Sequence, residues 1–512
     1  MQVTRFSIDP GFPVAPVDPR LFGSFVEHMG RCVYTGVFEP GHPAADADGF
    51  RADVLDLVRE LGPTIVRYPG GNFVSGYRWE DGVGPLEKRP RRLDLAWRTV
   101  ESNHFGIDEF LRWCGAAGVE PMAAVNLGTR VVAEATDRLE YCNHPAGTAL
   151  SDLRRSNGTE KPHAVKVWCL GNELDGPWQV GHKTAREYGR LAAETARAMR
   201  MVDANVELVA VGSSNSSMPT FGAWEDTVLE ECYDLVDYVS LHNYYEPLDD
   251  DVDSFLASGV DLDRAIQAIA ATADAVGARL RSSKQIKLSV DEWNVWHHRH
   301  FSGQHALDWA DRRELIEDRY DVTDAVVVGS LLISLLRNAD RVAIACQAQL
   351  VNVIAPVMTR PDGPAWRQTV FHPFAQAARH ARGTVLRVEP RGPVVDTARF
   401  GPVPVVDATA TVDPKTGDLT VLAVNRSRTE TVQMDADVRS MPGLRLAAAT
   451  TLTSDDPTTR NTEEQPDAVT PQPLREVSLA EGRLLAALPP VSWNVLRLRV
   501  ADPTTHRKEH DR

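Results

Sequence analysis

The chain has 512 residues, of which 43% are hydrophobic and 25% charged, a composition typical of soluble globular proteins and a length that favours two domains. Its formal net charge of −16 argues against nucleic acid or an anionic membrane as a partner, because phosphate binding requires a basic patch and none stands out. The N-terminus has no basic segment followed by an apolar core, and the longest apolar stretch, 325–336, is too short to span a bilayer.

The cysteines favour a reducing compartment. They show no CxxC spacing and occur at positions 32, 114, 142, 169, 232 and 346. We therefore expect buried free thiols and a cytoplasmic protein.

From about residue 20 to residue 385, short apolar runs suited to buried parallel strands alternate with amphipathic helical patterns such as 51–62 and 263–280. The strand candidates begin at Leu21, Thr64, Pro121, Ala164, Val206, Asp237, Ile286 and Val342. Eight strands in strict alternation with helices favour an α/β fold of the (β/α)8 TIM-barrel type over an open doubly wound sheet. No glycine-rich phosphate-binding motif opens a helix, and we expect no cofactor.

Beyond residue 385 the helical patterns give way to short β-rich runs separated by turn signals such as 413–417, DPKTG. This pattern predicts a C-terminal antiparallel β-sandwich, jelly-roll-like in type, and the alternating N-terminal segment 2–8 is expected to join its sheet. The predicted domains are a barrel at 16–385, a sandwich formed by 1–15 and 386–502, and a disordered tail at 503–512. Segment 454–473 is predicted to be an exposed loop.

Polar side chains follow seven of the eight predicted strands, where a barrel of this kind carries its active site. They are Glu27, His28, Arg67, Asn72, Asn126, Asn172, Glu173, His242, Asn243, Tyr244, Glu292, Asn294, Gln347 and Gln349. Any one of them could be a cap or a turn residue, but this interpretation does not explain why so many polar residues lie on one rim.

Two carboxylates among them suit glycoside hydrolysis. Glu173 follows the fourth strand and Glu292 the seventh, so barrel closure can bring them together, and spacing alone leaves open which is the acid. His242 and Tyr244 are placed to orient a nucleophilic carboxylate, and Arg67 to hold it ionised. The apolar run before Glu173 would raise its pKa.

Sugar binding is predicted for neutral amides and aromatic rings. Asn72, Asn172 and Gln349 carry donors and acceptors suited to sugar hydroxyls. Tryptophans in loops after the second, fourth and seventh strands could stack on sugar rings, although plain loop packing explains any single one equally well. They are Trp79, Trp97, Trp178 and Trp296.

Two other classes remain open. A metal-dependent sugar isomerase also uses Glu, Asp and His at strand ends, and chelation would inactivate it. A catalytically silent carbohydrate-binding protein would tolerate Glu173→Ala in ligand binding and show no turnover. The histidines at 297, 298 and 300 are neighbours in a loop, which rarely gives the convergent geometry of a metal site, so we predict a solvated loop and no metal.

Six segments resemble the α-L-arabinofuranosidases of glycoside hydrolase family 51, and the resemblance extends over nearly the whole chain. They are GSFVEHMGRCVYTGVFEP, IVRYPGGNFVSGYRWEDGVGP, WCLGNELDGPWQVGH, SLHNYY, SVDEWNVW and AQLVNVIAP. The resemblance implies a retaining mechanism, with Glu173 as general acid and then base, Glu292 as nucleophile, and carboxyl groups about 5–5.5 Å apart.

The resemblance also implies an arabinofuranose-binding set, and it implies that Trp97 and Trp296 border the site where the rest of the substrate lies. The set is Glu27, Arg67, Asn72, Asn172, Tyr244 and Gln349, and we expect His242 beside it. The implied activity is exo cleavage of terminal non-reducing α-L-arabinofuranosyl groups from arabinan, arabinoxylan or their oligosaccharides, with assembly as a homohexamer. Cleavage of β-xylosides or internal cleavage of β-glucans, as in some members of the family, remains the alternative.

Overall fold

The computed structural model describes residues 2–311 and 313–500, so the predicted tail at 503–512 lies outside the described residues. Within these residues, eight parallel strands form a closed barrel in the order β6-β7-β8-β1-β2-β3-β4-β5. They are β1 Gly23–Phe25, β2 Ile65–Tyr68, β3 Glu120–Ala124, β4 Val167–Cys169, β5 Glu207–Ala210, β6 Tyr238–Tyr245, β7 Lys287–Val295 and β8 Val342–Gln347. The predicted TIM barrel is confirmed.

The barrel closes where β8 pairs with β1, with Cys346 opposite Gly23 and Gln347 opposite Ser24. A Cβ atom on Gly23 would lie 2.7 Å from the carbonyl oxygen of Ala345 and 2.8 Å from Ile65 Cγ2. The seam therefore requires a residue without a side chain at this position.

The described residues contain ten α-helices. They are α1 Ala52–Leu61, α2 Ile107–Ala117, α3 Val132–Asn143, α4 Ala149–Ser156, α5 Ala185–Val202, α6 Ala223–Cys232, α7 Val252–Leu256, α8 Ser258–Leu280, α9 Val322–Arg337 and α10 Phe371–His380. Helix α1 illustrates how the sequence forms them: Val54, Val58 and Leu61 lie on one buried stripe, and Gly62 ends the helix at φ 78°, with its N–H bonded to the Val58 carbonyl. Among the described residues, no helix has the length and apolarity needed to cross a membrane.

The C-terminal domain is a β-sandwich, as predicted. In the part of the chain that the structure describes, the larger sheet orders its strands Pro13–Pro16, Thr384–Leu386, Val406–Val412, Leu419–Asn425, Ser492–Val500, Leu444–Leu452 and Gln472–Pro473. The smaller sheet orders Gln2–Ser7, Val432–Asp437, Arg483–Leu488 and Val477–Ala480. Apolar side chains from both sheets, such as Val421 and Met434, pack into a core of their own.

The N-terminal segment joins this domain, as predicted, because Gln2–Ser7 pairs in parallel with Val432–Asp437. The predicted domain boundaries at residues 15 and 385 each fall inside a strand of the larger sheet. A hairpin formed by Val394–Thr397 and Gly401–Pro404 extends from the same domain.

The prediction of an exposed loop at 454–473 is partly wrong. The Pro457 carbonyl accepts a hydrogen bond from Val322 N at the start of α9, 3.1 Å away. Asn461 and Val469 are buried and bonded to each other. Within the described residues, only the last two of the segment, Gln472–Pro473, pair with a strand, whereas the Pro457 carbonyl bonds to the first turn of a barrel helix. The prediction of free cysteines is confirmed, since all six are unpaired and buried.

Candidate active site

The carboxylate of Glu292, on β7, is held by two donors. Arg67 Nη1 donates to its Oε1 at 2.8 Å, and the Tyr244 hydroxyl donates to its Oε2 at 2.8 Å. Arg67 Nη2 also donates to Asn172 Oδ1 at 2.6 Å. Burial alone would lower the pKa of Arg67, but the nearby charges of Asp291 and Glu292 raise it well above its usual value. The guanidinium is therefore a fixed positive charge beside Glu292, as the sequence predicts.

Glu173 leaves the end of β4 through a sharp turn. Gly171 has φ 107° and Glu173 itself has φ 44°, so two residues of this short segment adopt left-handed conformations. Its side chain accepts a hydrogen bond from Trp178 Nε1 at 2.9 Å and lies 2.9 Å from His242 Nδ1. Burial raises the pKa of Glu173, hydrogen bonds with His242 and Trp178 oppose this, and the charge of Glu292 adds to it. The predicted rise in pKa is confirmed.

His242 connects Glu173 with Asp291. Its Nδ1 lies 2.9 Å from Glu173 Oε1 and its Nε2 lies 3.0 Å from Asp291 Oδ1, whereas Glu292 Oε2 is 3.5 Å from Nδ1. Burial alone would lower the pKa of His242, but the surrounding carboxylates raise it to about 10. Protonated His242 donates to Glu173 and Asp291, and its Nδ1 also lies near Glu292, so the orienting role predicted for His242 stays a prediction.

Asp291 lies in the site but is not among the residues predicted from the sequence. Burial favours its neutral form, but Arg67 and His242 hold its pKa below the usual value. Neighbours in a regular strand point to opposite faces, yet Asp291 and Glu292 both face the site. The pairing of β7 with β8 loses register between Val290 and Trp293, and this irregularity allows both side chains to face inward.

The carboxylates of Glu173 and Glu292 lie close enough for a retaining glycosidase. One oxygen of each, together with a His242 ring nitrogen, lie within 4.8 Å of one another. Retaining enzymes hold their carboxyl groups about 5–5.5 Å apart, and inverting enzymes about 6.5–9.5 Å apart. The same three groups have the spacing of a metal site.

A cavity of about 560 Å³ contains most of the predicted site. Eight predicted residues line it: Glu27, Asn72, Trp97, Glu173, Tyr244, Glu292, Trp296 and Gln349. Arg67, Asn172 and His242 are not on its wall, and each bonds to a glutamate of the pair or to a side chain that does.

Glu27 accepts hydrogen bonds from three neighbouring groups at one end of the cavity, which we term the binding end. Its carboxylate accepts from Trp97 Nε1 at 2.7 Å, from Gln349 Nε2 at 3.1 Å and from Phe73 N at 3.0 Å. Burial raises its pKa to about 8 despite the hydrogen bonds from Phe73 and Trp97. Trp296 packs edge-on against Tyr244, with ring centroids 5.2 Å apart.

Other polar residues of the rim have structural partners. His28 bonds to Glu101 and Tyr68, and the amide of Gln347 bonds to Asn294. Asn126 bonds within the turn that follows β3, to the backbone of Gly128 and to Thr129. For these residues the cap or turn interpretation applies.

The tryptophans and histidines of the loops also divide into residues with structural partners and residues that line the cavity. Trp79 is buried against Tyr141, whereas Trp178 is 39% exposed, lines the cavity and contacts Glu173. The predicted solvated loop at 297–300 is wrong for His297, which is buried and lies 3.2 Å from Asp324 Oδ1, a buried partner that spacing cannot reveal. His298 is exposed and lines the cavity.

The chain is similar in sequence to known proteins. Two family models match, the α-L-arabinofuranosidase 1 domain over residues 57–257 and the α-L-arabinofuranosidase C-terminal domain over residues 291–492. An intracellular exo-α-(1→5)-L-arabinofuranosidase from Streptomyces lividans is 60% identical over 98% of this chain and 76% of its own length. The Bacillus subtilis enzyme of the same name is 50% identical over 98% of this chain and 99% of its own.

Solved structures agree with these relatives. A family 51 α-L-arabinofuranosidase from Bifidobacterium longum has a TM-score of 0.94 at 48% identity, covering 98% of this chain and 100% of that one. The Thermotoga maritima α-L-arabinofuranosidase has a TM-score of 0.86 at 32% identity, covering 98% and 100%. Both of the curated relatives named above are intracellular enzymes by name. The chain belongs to the α-L-arabinofuranosidases of glycoside hydrolase family 51.

Proposed function

We propose that this enzyme removes terminal non-reducing α-L-arabinofuranosyl groups by double displacement, with Glu292 as nucleophile and Glu173 as acid and then base. The observation that carries the assignment is the difference between their partners. Glu292 accepts hydrogen bonds from a guanidinium and a phenol, whereas burial raises the pKa of Glu173 so that it keeps a proton. Family membership argues against the isomerase and the silent binding protein.

In the first displacement, Glu292 attacks the anomeric carbon while the bond from that carbon to the leaving oxygen breaks. Glu173 gives its proton to that oxygen, and the carboxylate that remains accepts hydrogen bonds from protonated His242 and from Trp178. In the second, water attacks the anomeric carbon, Glu173 takes a proton from the water, and the bond to Glu292 breaks. The product keeps the configuration of the substrate.

The binding end suits one uncharged sugar ring. Glu27 with its raised pKa, Asn72 and Gln349 present hydroxyl-binding groups on the same cavity wall, and Trp97 and Trp296 border them. We propose α-(1→5)-linked arabino-oligosaccharides as the preferred substrate, because that linkage is in the names of the S. lividans and B. subtilis relatives. A B. longum relative, 51% identical, is named an exo-α-(1→6)-L-arabinofuranosidase, and so this linkage is the second candidate.

Assay of p-nitrophenyl α-L-arabinofuranoside beside the β-xyloside and a soluble β-glucan tests the substrate class. The arabinofuranoside should be hydrolysed with the highest kcat/KM, and preference for the glucan would contradict the proposal. Treatment with a chelator should leave the rate unchanged, since double displacement by two carboxyl groups requires no metal.

We also propose a homohexamer, on the basis of the family resemblance. Light scattering on the purified protein should give six times the protomer mass of 56.4 kDa.

A further inference from the structure

The cavity is lined by polar residues that the proposed mechanism does not use. Five of them form what we term the distal chamber: Ser216, Asn243, Tyr245, Asp261 and Arg399. They come from the loop after β5, from β6, from α8 and from the C-terminal domain. One continuous cavity therefore contains the catalytic glutamates and a second polar region.

Asp261 is the centre of the distal chamber. Its Oδ2 accepts from Asn243 Nδ2 at 3.1 Å, from the Tyr245 hydroxyl at 3.3 Å and from Ser216 Oγ at 3.4 Å. In the part of the chain that the structure describes, no donor bonds to Oδ1, although Asp261 is on the cavity wall. The carboxylate is thus held in one orientation with one acceptor oxygen free for a ligand hydroxyl.

Through Arg399, the C-terminal domain contributes to the wall of the same cavity. It lies in the turn of the Val394–Gly401 hairpin segment, and its backbone N–H donates to Ser254 Oγ of α7 at 3.2 Å. Its guanidinium lies 5.4 Å from the ring centroid of Phe400, and its charge adds to the hydrogen bonds from Ser254 in lowering the pKa of Asp251, but among residues 2–311 and 313–500 no carboxylate forms a salt bridge with it. The hairpin is therefore fixed to the barrel while the guanidinium is available as a donor.

The distal chamber and the proposed acid Glu173 line the same cavity. Glu173 must contact the leaving oxygen to protonate it, so this oxygen lies beside the loop that follows β4. Asp175 of that loop accepts a hydrogen bond from Ser214 N at 3.1 Å, which places the loops after β4 and β5 side by side. Ser214 and Ser216 both line the cavity.

We propose that the distal chamber binds an uncharged sugar of the leaving-group chain, beyond the sugar whose glycosidic oxygen is released, and so favours longer oligosaccharides. Asp261 Oδ1 accepts a hydroxyl hydrogen, and Arg399 donates to hydroxyl or ring oxygens. This inference rests on the proposed function. It gives the C-terminal domain a part in choosing the substrate.

The test uses the full-length enzyme and its Arg399→Ala and Asp261→Asn variants. Each is assayed for kcat/KM on p-nitrophenyl α-L-arabinofuranoside and on α-(1→5)-L-arabinobiose, arabinotriose and arabinotetraose. In the variants, the ratio of kcat/KM for the tetraose to that for the nitrophenyl glycoside should fall about tenfold, the effect of one lost charge-assisted hydrogen bond. Arg387→Ala, an exposed arginine of the same domain, is the matched control and should keep the wild-type ratio.

An unchanged ratio in Arg399→Ala, or an equal loss on every substrate, would overturn the inference. The Arg399 side chain is exposed, so Arg399→Ala should fold and still test the inference even if Asp261→Asn fails to fold. Absence of wild-type activity on the nitrophenyl glycoside would instead overturn the proposed function, which separates the two failures.

Discussion

At the scale of single residues, the site is organised by alternating charge. Arg67 and His242 are positive, and they face the buried carboxylates of Asp291 and Glu292. This arrangement supports the proposal that Glu173 is the group that exchanges a proton. Its raised pKa depends on a balance between burial and the two hydrogen bonds from His242 and Trp178.

Trp178→Phe should shift this balance. The indole N–H bonds to Glu173 and stabilises the charged carboxylate, so its removal raises the pKa of the acid. Because Glu173 acts as an acid only when protonated, the basic limb of the pH profile of kcat/KM should move to higher pH. A basic limb that stays in place or moves to lower pH would contradict this role of Trp178.

At the scale of elements, the alternation of short apolar runs with amphipathic helices is enough to predict the barrel, because parallel strands covered on both faces need that pattern. It also predicts that Glu173 and Glu292 meet, since both lie towards the C-terminal ends of barrel strands. It could not predict that Asp291 faces the same site, because this depends on a local loss of register in β7. Nor could it predict the buried partner of His297, or the contact of Pro457 with α9, which are set by tertiary packing.

Gly23→Ala tests the closing seam of the barrel. The new Cβ would approach Ala345 O to 2.7 Å and Cys346 Sγ to 2.8 Å, so strands β8 and β1 must separate. We expect a loss of about 1–3 kcal/mol in the free energy of unfolding, measured by urea denaturation. Gly115→Ala in α2 is the matched control: its Cβ meets nothing within 4 Å, so it should stabilise the protein by about 0.5–1 kcal/mol. Equal effects of the two substitutions would contradict this description of the seam.

At the scale of the whole molecule, the two domains are joined by a buried polar contact as well as by apolar packing. Arg426 of the sandwich donates to Asp407 Oδ2 at 2.7 Å, to Ser330 Oγ on α9 at 2.8 Å and to the Leu256 carbonyl on α7 at 3.1 Å. One buried guanidinium thus links a strand of the sandwich to two barrel helices. This contact also supports the hairpin that carries Arg399, since Arg426 Nη1 donates to the Pro404 carbonyl.

Arg426→Ala should therefore destabilise both domains together. Removing the cation leaves the buried Asp407 with Arg337 as its remaining positive partner, and we expect a loss of roughly 3 kcal/mol. Arg428→Ala is the control, because Arg428 is exposed and lies 3.9 Å from Asp253, a pair whose removal should cost less than about 1 kcal/mol. Urea denaturation followed by tryptophan fluorescence measures both. Similar losses in the two variants would show that the buried contact does not couple the domains.

The roles of the two glutamates are tested most directly by the configuration of the product that azide forms with each alanine variant. In Glu292→Ala, azide should occupy the space of the missing nucleophile and yield the inverted β-L-arabinofuranosyl azide from p-nitrophenyl α-L-arabinofuranoside. In Glu173→Ala, the covalent intermediate still forms, because nitrophenolate leaves without an acid, and azide should yield the retained α-anomer. Proton NMR distinguishes the two products. A retained azide from Glu292→Ala with an inverted azide from Glu173→Ala would contradict the assignment.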